Sequence, residues 1–162
     1  ILHMTIAPAE VDETVANEAH ELALRRAKGF ELAGILAIEL FITKDNKVIV
    51  NELAPRPHNS GHYTIEACSF DQFDAHIRGI AGWPLEQPQL LKPAVMVNVL
   101  GQHVAPTRAL IADHPEWNVH DYCKAEVRHD RKMGHITVLT DDTAKTVADL
   151  EATGCWDDLK KA

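Results

Sequence analysis

Residues 35–53 leave this chain little freedom. Ile35 to Thr43 carries apolar residues on both faces of an extended strand, and Lys47 to Leu53 is rich in β-branched residues. Between them stands Lys44-Asp45-Asn46-Lys47. Asp and Asn tolerate the positive φ of a tight turn, so the pattern predicts a β-hairpin. With Asp45-Asn46 as a two-residue loop, cross-strand partners have numbers summing to 91. Glu39 then faces Glu52, with Phe41 opposite Val50 and Thr43 opposite Val48 on the same side. Like charges directly opposed on a sheet are destabilising. A fold that keeps them has a cation or a shared proton to place between them.

The chain of 162 residues is long enough for one ordinary domain with room for a small second lobe. Its net charge of -8, with no dominant basic stripe, argues against general nucleic-acid or membrane-surface binding. An anionic ligand must therefore be met by a local group of Lys and Arg. Cys68, Cys123 and Cys155 are widely spaced, odd in number and free of any Cys-x-x-Cys pattern. They read as reduced thiols, with Cys68 and Cys123 as small buried residues. Ile1 to Ile6 has no basic leader, and no apolar run reaches transmembrane length. The expectation is a soluble, cytoplasmic protein.

Along the chain, a strand over residues 1–7 precedes a helix opening at Pro8-Ala9-Glu10. Val11, Val15, Ala19, Leu22 and Ala23 recur at helical spacing before the stop at Gly29. The hairpin follows, then a loop from Ala54 to Gly61 and short helices over residues 63–68 and 70–81. Gly82-Trp83-Pro84 and the polar connector 86–93 break the pattern. Strands are expected over 94–100, 119–124 and 135–139, and a closing helix over 143–153. The fold class is α/β (α+β), divided into residues 1–86 and a small, mainly β lobe over 87–162.

Three constellations carry chemistry. Magnesium takes oxygen ligands, commonly one or two carboxylates completed by substrate phosphates and water. Glu39 and Glu52, with Asn51 alongside, offer such a platform; two exposed glutamates on an edge hairpin are the plain alternative. Next, Arg56-Pro57-His58-Asn59-Ser60-Gly61-His62 packs Arg, two His and Asn into seven residues. Pro55 and Pro57 stiffen it, so Arg56 and His58 project from a rigid segment. The same stretch also fits an ordinary loop with a helix cap at Asn59 or Ser60. Third, Lys124, Arg128, Arg131, Lys132 and His135 crowd into twelve residues of an otherwise acidic chain. A phosphate monoester needs such a fork, although a solvated hairpin would also account for it. Trp83, Trp117 and Trp156 read as packing residues, and His3, His20, His76, His103, His114 and His120 are too scattered to suggest a metal site.

The run Asn51-Glu52-Leu53-Ala54-Pro55-Arg56-Pro57-His58-Asn59-Ser60-Gly61-His62-Tyr63-Thr64 resembles the signature of the ATPase subunit of phosphoribosylaminoimidazole carboxylase. This is the N5-carboxyaminoimidazole ribonucleotide synthetase family of the ATP-grasp superfamily. Arg131-Lys132-Met133-Gly134-His135 resembles a second motif near that family's C-terminus. The resemblance implies the C-terminal part of an ATP-grasp core followed by a small C-terminal lobe, with the N-terminal domain and ATP-covering lid absent. It implies a ligase of purine biosynthesis that joins 5-aminoimidazole ribonucleotide, bicarbonate and ATP, with Mg2+, in a homodimer.

By the same resemblance Glu39 and Glu52 are magnesium ligands, and Asn51 lies with Glu52 against the nucleotide phosphates. Arg56 and His58, with Asn59, contact the ribonucleotide, and Arg56 and His58 serve catalysis. Lys124 and Arg131 hold its 5′-phosphate. One departure is Cys123, where the family pattern leads us to expect glycine. Two other readings remain beside the ligase: an inert fragment keeping substrate and subunit contacts, or a related ATP-grasp transformylase.

Overall fold

The computed structural model describes residues 1–158. In chain order these form β1 (Met4–Ala7), α1 (Glu13–Gly29), β2 (Ala37–Ile42), β3 (Val48–Ala54), α2 (Thr64–Ala67), α3 (Gln72–Ala81), β4 (Ala94–Leu100), α4 (Val104–Leu110), β5 (Trp117–Asp121), β6 (Lys132–Leu139) and α5 (Thr143–Ala152). The first helix starts at Glu13 behind an extended Asp12, later than the Pro8 opening expected from spacing. Strands expected from Val119 and His135 begin instead at Trp117 and Lys132. The sequence pattern had not suggested α4. Its Pro106 falls in the first turn, where a missing N–H removes no intrahelical bond.

The larger sheet runs β1-β4-β6-β5, every neighbouring pair antiparallel. β1 lies before the connector and β4 after it, so the sheet joins both sides of the chain. One face carries Val95, Val97, Val99, Ile136, Val138 and Trp117 into a buried core with Leu150 of α5, Cys155 and Trp156. Removing this apolar surface from water is the main stabilising term. Two of the three tryptophans are thus packing residues, but Trp83 is 64% exposed. Cys68 is half-buried and Cys123 is exposed, contrary to the expectation of buried thiols. Cys123 also holds φ +51°, the left-handed region where glycine was expected.

The second face of this sheet presents Met96, Asn98, His120, His135 and Thr137, by strand alternation. Residues 58–67 cover it. α3 behind them is well bounded: the Asp71 carboxylate accepts from the Phe73 and Asp74 amides at 2.7 and 2.8 Å, and Gly82 closes the helix with a left-handed φ.

β2 and β3 form a separate two-stranded sheet with Glu39 paired to Glu52. The turn is one residue longer than expected. Thr43 N–H donates to Lys47 O at 3.0 Å, and Asn46 takes the left-handed φ of +59°. Partners near the turn therefore sum to 90: Phe41 faces Ile49, not Val50, and Val48 faces Ile42, not Thr43. A β-bulge at Asn51 adds the residue that restores Glu39 to Glu52.

Candidate functional site

The bulge at Asn51 shapes the acidic end of the site. It sets two residues of β3 against one of β2, so Asn51 and Glu52 both flank Glu39. Asn51 Nδ2 donates to Glu39 Oε2 at 3.1 Å. The other Glu39 oxygen lies 3.5 Å from His58 Nε2. Ser60 N–H points at His58 Nδ1, 3.4 Å away, and Ser60 Oγ lies 2.9 Å from the same nitrogen, so Ser60 orients the ring with Nε2 towards Glu39. Among the described residues, no group of three or more His, Cys, Asp or Glu is arranged to hold a metal ion. The hard oxygens of Glu39, Glu52 and Asn51 suit Mg2+ only if phosphate and water complete its shell.

The proline-stiffened segment follows directly. Arg56 is exposed and its guanidinium donates to the neighbouring Pro57 carbonyl at 3.1 Å. His58 is largely buried by its side chain, at 12% exposure. Asn59 turns its amide inward to Asn98, exchanging hydrogen bonds of 2.8 and 2.7 Å.

Lys124 and Lys132 bring the basic end towards the acids. Lys124 Nζ donates to the Lys132 carbonyl at 2.5 Å and lies 5.4 Å above the Tyr122 ring. Burial holds the Lys132 ammonium below its usual range. Glu39 and Glu52 act against that shift, whereas Arg56 and Lys124 add to it. Those four side chains, drawn from β2, β3, the loop after β3 and the loop after β5, therefore share the field of one ammonium. Arg131 stands apart: it is exposed, and its guanidinium contacts the Glu126 carbonyl at 3.3 Å.

Beneath the segment lies a column of rings. His62 stacks on Phe73 at 5.5 Å and on His135 at 4.9 Å, and His135 stacks on His120 at 4.4 Å. His120 Nε2 meets Glu66 Oε1 at 2.5 Å. Burial is the main cause holding His62 at about 4, helped by the charges of Lys132, His120 and His58. Burial likewise lowers His135 to about 3, with smaller contributions from His120 and His62. Tyr122 hydroxyl lies 2.9 Å from His135 Nδ1, and burial pushes the phenol up to about 12 against a smaller effect of an Asn59 hydrogen bond. A separate cavity of about 350 Å³ lies under α4, lined by Val99, Val104, Thr107, Ile111, Val119 and Met133. It shares Lys124 and, from the ring column itself, His120 with the groups above.

Of the residues singled out in the sequence, the fold brings together Glu39, Asn51, Glu52, Arg56, His58 and Lys124, and it leaves Arg131 at the edge. Gln72, Asn98 and Tyr122 are not among the residues the sequence singles out, whereas Lys132, His62 and His135 are, though without the stacking of His62 on His135. Lys132 stood inside the basic motif, and Asn98 was the one polar residue in an otherwise apolar strand, a signal that a partner was needed.

Antiparallel hairpin acids, a proline-stiffened loop and a second sheet with a basic corner define an ATP-grasp protein with an appended C-terminal domain. A family model for the ATP-grasp domain matches residues 1–73, and one for the phosphoribosylaminoimidazole carboxylase C-terminal domain matches residues 94–149. The chain belongs to the N5-carboxyaminoimidazole ribonucleotide synthase family. It is 48% identical over 147 residues to the synthase of Staphylococcus saprophyticus, covering 90% of this chain and 39% of that protein.

Solved relatives agree. A synthetase crystallised with ADP superposes with TM-score 0.94 at 42% identity, over 98% of this chain and 42% of its own. The Aspergillus clavatus enzyme, in complex with ADP and aminoimidazole ribonucleotide, gives TM-score 0.86 at 32% identity, over 94% of this chain and 43% of its own. The chain thus spans about two fifths of the length of the relatives it matches.

Proposed function

We propose that this chain is the metal- and ribonucleotide-binding portion of an ATP-dependent ligase that converts 5-aminoimidazole ribonucleotide, bicarbonate and ATP to N5-carboxyaminoimidazole ribonucleotide. The observation that carries the reading is the Glu39–Glu52 pair, with Asn51 swung beside it by the bulge and His58 at 3.5 Å. Glu39 and Glu52 would hold Mg2+ with Asn51 against the ATP phosphates, and the ion would neutralise phosphate charge there. Arg56 and His58, with Asn59 beside them, would orient the aminoimidazole. Lys124 and Arg131 would take its 5′-phosphate, with Lys132 between that corner and the acids.

In the reaction, a bicarbonate oxygen takes the γ-phosphoryl group and ADP leaves. The exocyclic amine then forms a bond to the carboxyl carbon, directly or through released carbon dioxide, and phosphate departs with loss of an amine proton. Arg56 and His58 act chiefly by placement and by stabilising developing negative charge.

We also propose division of the chain into residues 1–86 and 87–162, a homodimeric cytoplasmic parent enzyme, and turnover that belongs to that longer parent. Among the described residues no helix is long and apolar enough to cross a membrane. In the full-length parent, Glu52→Gln should abolish ATP turnover that depends on ribonucleotide and bicarbonate. Unchanged turnover would remove the metal assignment. Turnover with glycinamide ribonucleotide instead would point to the related transformylases.

A further inference from the structure

Arg56 to His58 contains no helix or strand and Asn59 only opens a 3-10 turn (Asn59–Gly61), yet two buried amides from outside fix the Arg56–Asn59 run. Gln72, 7% exposed at the start of α3, accepts from His58 N–H through Oε1 at 2.8 Å and donates to His58 C=O through Nε2 at 2.8 Å. These two bonds establish which end of the amide is oxygen, since one partner only donates and the other only accepts. Gln72 Nε2 also lies 2.8 Å from His62 Nδ1. Its second proton therefore points at Nδ1, leaving the His62 proton on Nε2. The reach depends on Gly61, where a Cβ would stand 2.7 Å from Gln72 Oε1.

Asn98 secures the next residue. It is 1% exposed on β4, exchanges two hydrogen bonds with the Asn59 amide, and spends its remaining N–H on the Leu2 carbonyl at 2.9 Å. The Asn98 main-chain carbonyl accepts from Trp156 Nε1 at 2.9 Å. One residue of the segment is thus bound to α3 and the next to the core sheet.

We propose that Gln72 and Asn98 are positioning residues of the ribonucleotide site. They hold Arg56, His58 and Asn59 in binding geometry before any ligand arrives, and Gln72 also sets the tautomer of His62. Order established on folding need not be supplied by the ligand, which raises affinity without a new contact. The identity of the ligand rests on the function proposed above; the clamp itself does not.

The test uses the 162-residue chain with amide hydrogen exchange, imidazole 15N NMR and titration with aminoimidazole ribonucleotide. In Gln72→Leu and Asn98→Asp, ribonucleotide Kd should rise at least ten-fold. The His58 amide should exchange at least ten-fold faster in Gln72→Leu, while β4 amides keep their protection within two-fold. Gln72→Glu preserves the shape and the acceptor for His58 N–H but removes both donors of Nε2, the one on the His58 carbonyl and the one facing His62, so the His62 proton should move to Nδ1. A purely structural role would not move that proton. Retention of the Nε2–H form in Gln72→Glu, or wild-type His58 exchange in Gln72→Leu, overturns the proposal. Should Gln72→Leu not fold, the tautomer in Gln72→Glu decides. Failure of the wild-type chain to bind ribonucleotide would count against the assigned ligand, and the exchange and tautomer results would still decide the clamp.

Discussion

Acidification from pH 7 to pH 5 should destabilise this fold through two stacked imidazoles. His62 and His135 titrate at about 4 and about 3 in the folded chain, both lowered first by burial. Unfolded, each returns to about 6.5. Between those values the unfolded chain binds protons that the native one refuses, so stability rises with pH and is lost as pH falls. Each histidine contributes a slope approaching about 1.4 kcal/mol per pH unit. At pH 5 each costs about 2 kcal/mol and the pair about 4, a large share of the roughly 5–15 kcal/mol that holds a domain. His3, also lowered by burial, acts in the same direction. Asp121, Glu116 and Asp158 have lowered values, so their contribution is lost further down, below about pH 5. Urea unfolding followed by fluorescence of buried Trp117 and Trp156, at pH 7, 6 and 5, measures the slope. His135→Leu removes one titrating ring and should roughly halve it. A wild-type loss under about 0.5 kcal/mol across this range, or an unchanged slope in His135→Leu, refutes the reasoning.

Glu39→Gln, by relieving like charges, should raise stability without metal by a few tenths to about 1 kcal/mol, while the Tm increase on adding Mg2+ with ATP disappears; thermal scans with and without the pair decide this. Gly134→Ala should cost about 3 kcal/mol in urea unfolding, since its Cβ would stand 2.3 Å from the His120 carbonyl, a backbone atom that cannot swing away. Cys123→Gly should stabilise the chain by up to about 1 kcal/mol by releasing a left-handed residue, whereas Cys123→Val should destabilise it by a similar amount in the same assay.

How far the site could be read in advance is clearest at Glu39 and Glu52. Their opposition was legible, but through two offsetting local errors. The turn spans three residues, with left-handed Asn46 last, which shifts every pair near it by one. The bulge at Asn51 shifts them back. Neither Gly nor Pro marks that bulge, so nothing in residue pattern announced it, and the same bulge brings the Asn51 amide to Glu39. The basic corner was legible as chemistry because Lys and Arg stand out in an acidic chain. Which of its members feels the acids depends on packing across the molecule, and Lys132 lies within the field of both Glu39 and Glu52. Gln72 gave no local sign, because its partners His58 and His62 lie ten or more positions away and become neighbours only when the loop folds back.

The ring column also explains how cations can gather without disrupting the fold. Arg56 and Lys124 already act on Lys132, and Lys132 pushes His62 towards its neutral form. Charged imidazoles at His62 and His135 would add repulsion in the least hydrated part of the site. Held neutral, the two rings form an uncharged stack on the same face of the sheet as the Asn59–Asn98 link that ties the segment to it. The positive field of the corner then remains for an anionic ligand. Protonation of the column would therefore strike twice, loosening the layer that carries the segment and adding charge where Lys132 stands. Ribonucleotide affinity should consequently fall over the same pH interval as stability, and His135→Leu should flatten both profiles together. A flattened stability profile with an unchanged binding profile would separate the column from the ligand site.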